Sequence, residues 1–441
     1  MPSKIPRANP SLIFASEGSQ YPSLADTDRE SPSISQAEYA AALDAEGAGT
    51  PLPVSIYVHL PFCPSRCLSC DHDTTVTHDG TVIDRYLDSL EQEVAQVTDR
   101  LGRKRHALQV HLGGGTPNYL SDPQLVRLAG ILETHFTIDA ATETSLEASP
   151  KRSSWTQLAL LRGLGFRRIN FEVRDLDAGV QMALGRSHSQ AILQDVFDNA
   201  HGVGFETVSM DLVYGLPNQT LASIRRTISQ IVELQPDRVA CFAYSRRPEA
   251  FLHQRAINPA SLPSLGDRLA MFNAVVEAMT AAGYAWIGLD SFVKRDDSLA
   301  AATATQSLHR SRIGYTLHEN ADLLGFGTSA ISEVGGLCVQ NYPEIAPWAD
   351  AISNSIFPFR KGVQWSREQR NQRNALTDLM CNLELPMTPE LSHDNGALGS
   401  LAQDGLVDIS EQRVTVTPQG RFVLHQLWGD SSPQFRWASA L

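Results

Sequence analysis

From residue 53 onward, short apolar runs alternate with longer stretches in which apolar residues recur every three or four positions. The runs at 54–60, 108–112, 143–147, 168–173, 207–213 and 238–244 have the length and β-branched content of strands. The stretches at 84–101, 122–135, 154–164, 191–203, 221–234 and 264–282 have helical spacing. Strands and helices in strict alternation predict an α/β fold whose parallel sheet is built from βα units. Right-handed crossovers curl such a sheet into a partial, TIM-like (βα)6 barrel. Chemistry in that architecture gathers at the carboxyl ends of the strands. The loops after the first and second strands therefore face the site.

The two ends of the chain have other rhythms. Residues 1–50 are rich in Ser, Pro, Ala and acidic residues, with one helical patch at 35–43, and predict an extension lying over the body. After residue 356 come a long helix at 366–385, a shorter one at 398–406, a hairpin-like pair at 407–416 and a last helix at 418–427. That order predicts a small helical unit with a β wing. The domain division is then 1–50, 51–355 and 356–441.

Composition narrows the function. Of 441 residues, 42% are hydrophobic and six are tryptophan, enough for a sizeable core. The net charge of −13 argues against a nucleic-acid or anionic-membrane surface as the main partner. It also favours a structural role for the winged unit over DNA binding. No run approaches the roughly 20 apolar residues of a membrane span, and the first residues lack an apolar signal-peptide core, so a cytoplasmic monomer is expected.

Three of the six cysteines stand together as Cys63-x3-Cys67-x2-Cys70. Three thiolates in eight residues can hold three irons of a [4Fe–4S] cluster and leave the fourth iron open to a small ligand. The rival is a Cys3His zinc site completed by His72. Cys241, Cys338 and Cys381 are isolated among apolar neighbours and read as buried hydrophobes. Gly113-Gly-Gly-Thr116 follows the second strand, where missing Cβ atoms allow close approach of a ligand or simply a tight turn. Glu147 and Asp211, at apolar–polar transitions in strands three and five, suit hydroxyl or amine recognition or helix capping equally.

The cysteine triplet together with Gly-Gly-Gly-Thr-Pro117 resembles the radical S-adenosylmethionine (SAM) enzymes. Asp211-Leu-Val-Tyr-Gly-Leu-Pro-Asn-Gln-Thr220, Gly314-Tyr-Thr316 and Asp322-Leu-Leu-Gly-Phe-Gly-Thr-Ser-Ala-Ile-Ser332 extend the likeness to the oxygen-independent coproporphyrinogen III oxidase family. The resemblance runs from about residue 55 to the C-terminus. It implies a partial barrel closed by a C-terminal domain, a cluster on Cys63, Cys67 and Cys70, one or two SAM molecules, and a low-potential donor such as a flavodoxin or ferredoxin. Reductive cleavage of SAM would give a 5′-deoxyadenosyl radical that starts oxidative decarboxylation of propionates to vinyl groups, turning coproporphyrinogen III into protoporphyrinogen IX in anaerobic haem biosynthesis. Positions matching the family's SAM contacts are Tyr57, Ser69, Gly114, Gly115, Thr116, Glu147, Arg174, Arg186, Asp211, Ser245 and Ile331.

The chain also departs from the family pattern. His72 stands at the place of a fourth cysteine and is the one candidate catalytic residue; a polar loop residue is its plainer reading. Glu172-Val-Arg174 replaces Gly-Val-Gln, Ser149-Pro150 replaces Asp-Pro, Ser291 replaces a histidine and Ile313 a glutamine. These changes gather around the second SAM and the substrate. They leave open a radical-SAM paralogue with another substrate, such as a methyl-transfer enzyme, and a haem-binding or trafficking relative. A substrate with four propionates requires cations, for which Arg246, Arg247, Arg310 and Arg312 are candidates.

Overall fold

The computed structural model describes residues 34–48, 52–319, 321–387 and 397–421. Its centre is a row of six parallel strands paired in chain order: β1 (Val54–Leu60), β2 (Arg105–Gly114), β3 (Glu143–Ala148), β4 (Arg168–Arg174), β5 (Thr207–Tyr214) and β6 (Arg238–Ala243). Each is followed by helix, as the alternation predicted. The crossovers are α2 (Gly80–Leu101), α3 (Asp122–His135), α4 (Trp155–Gly163), the pair α5 (Ala178–Ala183) and α6 (Gln190–Gly202), α7 (Leu221–Leu234) and α8 (Leu265–Ala281). The row forms a partial barrel, because the free edge of β1 pairs with β9 (Asp322–Phe326) rather than with β6.

Helix boundaries follow capping chemistry. The pattern at 84–101 predicts the body of α2, but the helix begins one turn earlier, where Asp79 Oδ1 accepts from the Thr81 N–H at 2.9 Å. It stops at Gly102, whose φ of 68° suits a residue without Cβ. Ile83, Leu87, Leu90, Val94, Val97 and Leu101 form its buried stripe. Thr220 and Ser223 close a capping box on α7, whose Ile224, Ile228 and Ile231 face the core.

Sequence periodicity does not predict the sheet beyond the six units. On the β6 side, β7 (Ala285–Ile287) and β8 (Ser291–Val293) add an antiparallel pair. On the β1 side, β9 leads into antiparallel β10 (Ile331–Val334), β11 (Leu337–Asn341) and β12 (Phe359–Gln364). These strands are three to six residues long and broken by glycine turns, so none shows a sustained period.

The helical patch at 35–43 is part of α1 (Gln36–Ala48), which lies against the body: Tyr39 meets Phe357 and Phe359 edge-on, and Gln36 exchanges hydrogen bonds with the Phe357 backbone. Residues 1–33 lie outside the described residues. Towards the C-terminus, a helix at Arg367–Asn382, a shorter one at Ala397–Gln403 and three antiparallel strands follow, Arg413–Val416 lying between Glu384–Pro386 and Val407–Ile409. Residues 418–421 are helical, and the remainder of the stretch read as the last helix is outside the described residues. Arg421 ties this region to the sheet, donating to the carbonyls of Trp286 and Gly288 at 2.7 Å with its guanidinium 3.6 Å from the centre of the Trp286 ring. No helix among the described residues is long and apolar enough to cross a membrane.

One buried carboxyl couples α2 to the β9–β11 extension. Glu93 accepts from the Gly327 N–H at 2.7 Å and from Asn341 Nδ2 at 2.6 Å. Burial outweighs both bonds and pushes the carboxyl up to about 8. A carboxyl raised on folding contributes stability that is full below its unfolded value of 4.5 and is lost as pH rises through about 8. The melting temperature is therefore expected to fall by about 3 °C between about pH 6 and pH 9 from this group alone. Glu93→Gln, which cannot ionise, should flatten that part of the profile in a thermal denaturation series; an unchanged slope would remove Glu93 as its source.

Candidate active site

The barrel lumen is lined by polar residues at alternate positions of strands that are otherwise apolar. Along β4, Arg168, Asn170, Glu172 and Arg174 project inward between buried Ile169, Phe171 and Val173. Gln109 and His111 on β2, Glu143, Ser145 and Glu147 on β3, and Ser209 and Asp211 on β5 do the same. An ordinary barrel of this type fills its lumen with branched apolar side chains. Here the polar rows enclose a cavity of about 660 Å³, large enough for substantial ligands. It runs from Ser69, Asp71 and His72 in the cysteine loop to Arg310 and Tyr315.

Of the three clustered cysteines, Cys63 ends the short strand Phe62–Cys63, and Cys67 and Cys70 lie in the loop that leads from it to Thr75–Val76. All three are partly exposed, whereas Cys241, Cys338 and Cys381 are buried, as their apolar surroundings predicted. Cys63 Sγ lies 3.5 Å from Thr116 Oγ1, so the cysteine loop touches the turn after the glycine run. Burial pushes the Cys63 thiol up to about 11. Burial acts the same way on Cys70, but hydrogen bonding and charge from His72, with Arg174 behind it, bring that thiol below its ordinary value. Among the described residues, no three His, Cys, Asp or Glu side chains converge as ligands of one metal ion. A cluster does not require convergence, since each thiolate takes a different iron. Three soft donors in one partly exposed loop, at the mouth of a polar cavity, fit such a cluster.

His72 points Nδ1 at Asp71 Oδ1, 3.2 Å away. Half of its side-chain surface is open, and that surface belongs to the cavity wall. Burial opposes its charged form, but Asp71 and Cys70 outweigh burial and hold the imidazole well above its ordinary value.

The glycine run is where backbone meets backbone. A Cβ on Gly113 would lie 3.0 Å from the Tyr57 ring, on Gly114 2.9 Å from the His59 ring, and on Gly115 2.7 Å from the Pro61 carbonyl carbon. Gly115 and Thr116 donate to the carbonyls of Leu60 and Phe62 at 2.8 and 3.0 Å, binding this turn to the segment entering Cys63. Glu147 Oε2 accepts from the Gly114 N–H at 3.1 Å, while Oε1 lies 3.6 Å from His111 Nε2. His111 in turn stacks on Tyr57. Burial would raise Glu147, but His111, His72 and the Gly114 N–H together hold it below its ordinary value. Asp211 behaves oppositely: burial and the charge of Glu172 push it up to about 7, although Asn170 Nδ2 donates to it at 3.0 Å.

At the end of β4 the pairing with β5 slips between Phe171 and Arg174, and Arg174 takes a φ of 70°. A non-glycine residue in that region carries strain of roughly 1 kcal/mol or more, a feature that collects at functional sites. The twist sends Arg174 towards the cysteine loop, with Nη1 3.5 Å from Ser69 Oγ. Glu172 Oε1 lies 3.6 Å from Arg174 Nη2 and Glu172 Oε2 3.8 Å from Arg186 Nη2. The two departures at 172 and 174 therefore compensate each other: the added cation is met by an added carboxylate.

Of the positions assigned by resemblance, Ser69, Glu147, Arg174, Asp211 and Ser245 line the cavity. Tyr57, Gly114, Gly115 and Thr116 are not on the cavity wall but are packed together beside the cysteine loop and the wall residue Glu147 through the contacts above, and Arg186 is joined to the wall through Glu172. Ile331 is not brought to the cavity wall; it starts β10 and packs against Cys338, Val363 and Trp365. Sequence reasoning passed over His111, Asn170 and the Arg168–Glu143 pair at 2.8 Å. Their signal was available: polar residues at every second position of strands that should be buried on both faces.

Comparison with known proteins agrees with this geometry. The profile of the Radical SAM superfamily matches residues 57–231. The oxygen-independent coproporphyrinogen III oxidase of Pseudomonas aeruginosa is 35% identical over 400 residues, covering 88% of this chain and 86% of that protein. The Escherichia coli protein of the same name is 35% identical over 386 residues, covering 85% and 84%. The solved structure of E. coli coproporphyrinogen III oxidase (HemN), described as a radical SAM enzyme, superposes with a TM-score of 0.88 at 32% identity, over 97% of this chain and 99% of that one. Similar to these relatives in sequence and fold along nearly its whole length, the chain belongs to the oxygen-independent coproporphyrinogen III oxidase family of radical SAM proteins.

Proposed function

We infer that the chain is a radical SAM oxidoreductase that decarboxylates two propionates of coproporphyrinogen III to vinyl groups, giving protoporphyrinogen IX. The observation that carries this reading is the end-to-end match to oxidases of that name, with the three cysteines and a cavity of about 660 Å³ on one face of the barrel. Each conversion removes CO2, one hydrogen atom and one electron from a deprotonated propionate. When bound, a [4Fe–4S] cluster with SAM supplies the reductive cleavage that yields a hydrogen-abstracting 5′-deoxyadenosyl radical.

The chain's own residues hold, orient and shield. In this reading Cys63, Cys67 and Cys70 hold the cluster. The Gly113–Gly115 backbone, Tyr57, Ser69 and Thr116 shape the SAM pocket beside it. Glu147, held ionised by His111 and the Gly114 N–H, is an acceptor for a cationic or hydroxyl-bearing part of SAM. Asp211 extends the contact along the cavity, while Glu172 keeps Arg174 and Arg186 in place. The barrel wall excludes water from a reactive radical. His72 is assigned no catalytic step: its ring is engaged by Asp71 and Cys70. We further propose a cytoplasmic monomer, reduced by a flavodoxin or ferredoxin, with the division at residues 51 and 356 separating the extension, the barrel and the closing unit.

The test is anaerobic incubation of the reconstituted protein with coproporphyrinogen III, SAM and a low-potential reductant. The expected product is lighter by two CO2 and four hydrogens, with two methionines and two 5′-deoxyadenosines formed per substrate. SAM cleavage that leaves the tetrapyrrole unchanged, or a heavier methylated product, would favour a paralogue acting elsewhere.

A further inference from the structure

Six arginines line the cavity: Arg168, Arg174, Arg238, Arg246, Arg268 and Arg310. Five are engaged by the protein. Arg168 pairs with Glu143 at 2.8 Å, Arg174 with Glu172 at 3.6 Å, and Arg238 with Asp297 at 2.7 Å. Arg268 Nη2 donates to the Tyr244 carbonyl at 2.8 Å, and Arg310 lies 3.8 Å from Asp290 and donates to Tyr315 at 3.0 Å. Arg246 makes no side-chain hydrogen bond or ion pair among the described residues, and its Nε is buried without a partner. Of the neighbouring arginines, Arg247 also has a buried Nε without a partner among the described residues but does not line the cavity and stands over the Phe251 ring, and Arg312 is bonded to Glu333 at 2.7 Å.

Arg246 does not stand alone. Tyr244, Ser245 and Arg246 follow the end of β6 in succession, all three line the cavity, and each has a buried polar side-chain atom with no partner among the described residues. Burial pushes the Tyr244 phenol up to about 12, so it remains a donor at neutral pH. Buried polar groups are nearly always satisfied. Three orphaned donors on one wall, one of them cationic, describe a receptor for an anion with several acceptor lone pairs. A planar guanidinium matches a carboxylate best.

We propose that Arg246, with the hydroxyls of Tyr244 and Ser245, is a carboxylate-binding subsite that anchors a propionate of the tetrapyrrole and so sets its position relative to the cysteine loop. The assignment rests on the functional reading above and names the group in the cavity that recognises the substrate's charge. An anchor just after β6 also fits the rest of the lumen, where each of the remaining cavity arginines already has a protein partner.

The test uses the holoenzyme with its cluster rebuilt anaerobically, comparing wild type, Arg246→Gln and Arg246→Lys. Arg246→Gln is expected to raise KM for coproporphyrinogen III about ten- to hundredfold, with KM for SAM moving less than about twofold. Arg246→Lys, which keeps the charge but not the fork, should recover part of the loss. A charge-specific readout comes from tryptophan-fluorescence titration with coproporphyrin III and its tetramethyl ester. Wild type should prefer the free acid and Arg246→Gln should lose that preference. If Arg246→Gln fails to keep its cluster, the same titration on Arg246→Lys decides: a reduced preference supports the subsite and a full one overturns it. An unchanged KM for coproporphyrinogen, or a loss confined to SAM, overturns it as well. Wild-type turnover is read in the same assay: if it is absent the functional reading falls, and if it is present while Arg246→Gln matches it, only the subsite does.

Discussion

Cys67→Ala is expected to abolish SAM cleavage, with activity falling by about a thousandfold or more and iron dropping from about four per chain towards none after anaerobic reconstitution. In the proposed reading each thiolate of the loop holds a separate iron, so a cluster left with two protein ligands would be released to solvent. Cys63 and Cys70 should behave alike, because the three lie within eight residues of one partly exposed loop. The contrast is Cys241→Ala. That thiol is buried in β6 among core residues and should cost stability, on the order of 1 kcal/mol, while leaving iron content intact. Iron and sulfide analysis, visible absorbance and 5′-deoxyadenosine release measure all of this together. A Cys67→Ala protein that keeps its iron would show that the triplet is not the cluster loop.

The second large effect is expected from one methyl group. Gly115→Ala places a Cβ 2.7 Å from the Pro61 carbonyl carbon and 2.8 Å from the carbonyl oxygens of Pro61 and Phe62. These are backbone atoms, which cannot swing aside as a side chain would. The two hydrogen bonds from Gly115 and Thr116 to Leu60 and Phe62 must stretch, and with them the approach of the turn to Cys63. A destabilisation of about 2–4 kcal/mol is expected, together with poor cluster retention. Gly130→Ala in α3 is the control: a Cβ there meets open space, and the change should stabilise by about 0.5–1 kcal/mol. Thermal denaturation and iron content should move together for Gly115→Ala and not for Gly130→Ala. Equal behaviour of the two variants would show that the close approach is not needed.

The six βα units were legible because strand-length segments alternate regularly with helices that carry their own period and caps. Asp79 shows the limit at a boundary: a capping aspartate lies outside the apolar stripe, so the stripe alone starts α2 a turn late. The strands β7 to β12 were not legible, since three to six residues between glycine turns cannot show a period. Their pairing is decided by contacts distant in sequence, such as β9 against β1.

Within the site, the thiolate loop and glycine turn could be read directly, because each is contiguous in sequence. Arg174 could not be interpreted alone. The alternation of β4 puts Glu172, two residues before it, on the same face and 3.6 Å from its guanidinium. Likewise Arg246 and Arg312 look equivalent as residues near strand ends, yet among the described residues the Arg246 Nε is buried without a partner and Arg312 is held by Glu333. Arg312 and its partner are distant in sequence, and sequence order does not give that pairing.

The central claim, that this chain takes hydrogen from a coproporphyrinogen propionate and releases CO2, is tested most directly by isotope transfer. Only a hydrogen on the carbon β to the carboxyl, the one attached to the ring, can be lost in a way that leaves a vinyl group when CO2 departs. Coproporphyrinogen III deuterated at that carbon, incubated anaerobically with the reconstituted protein, SAM and reductant, should yield 5′-deoxyadenosine carrying one deuterium and a divinyl product. Unlabelled 5′-deoxyadenosine with the tetrapyrrole recovered intact would contradict the account.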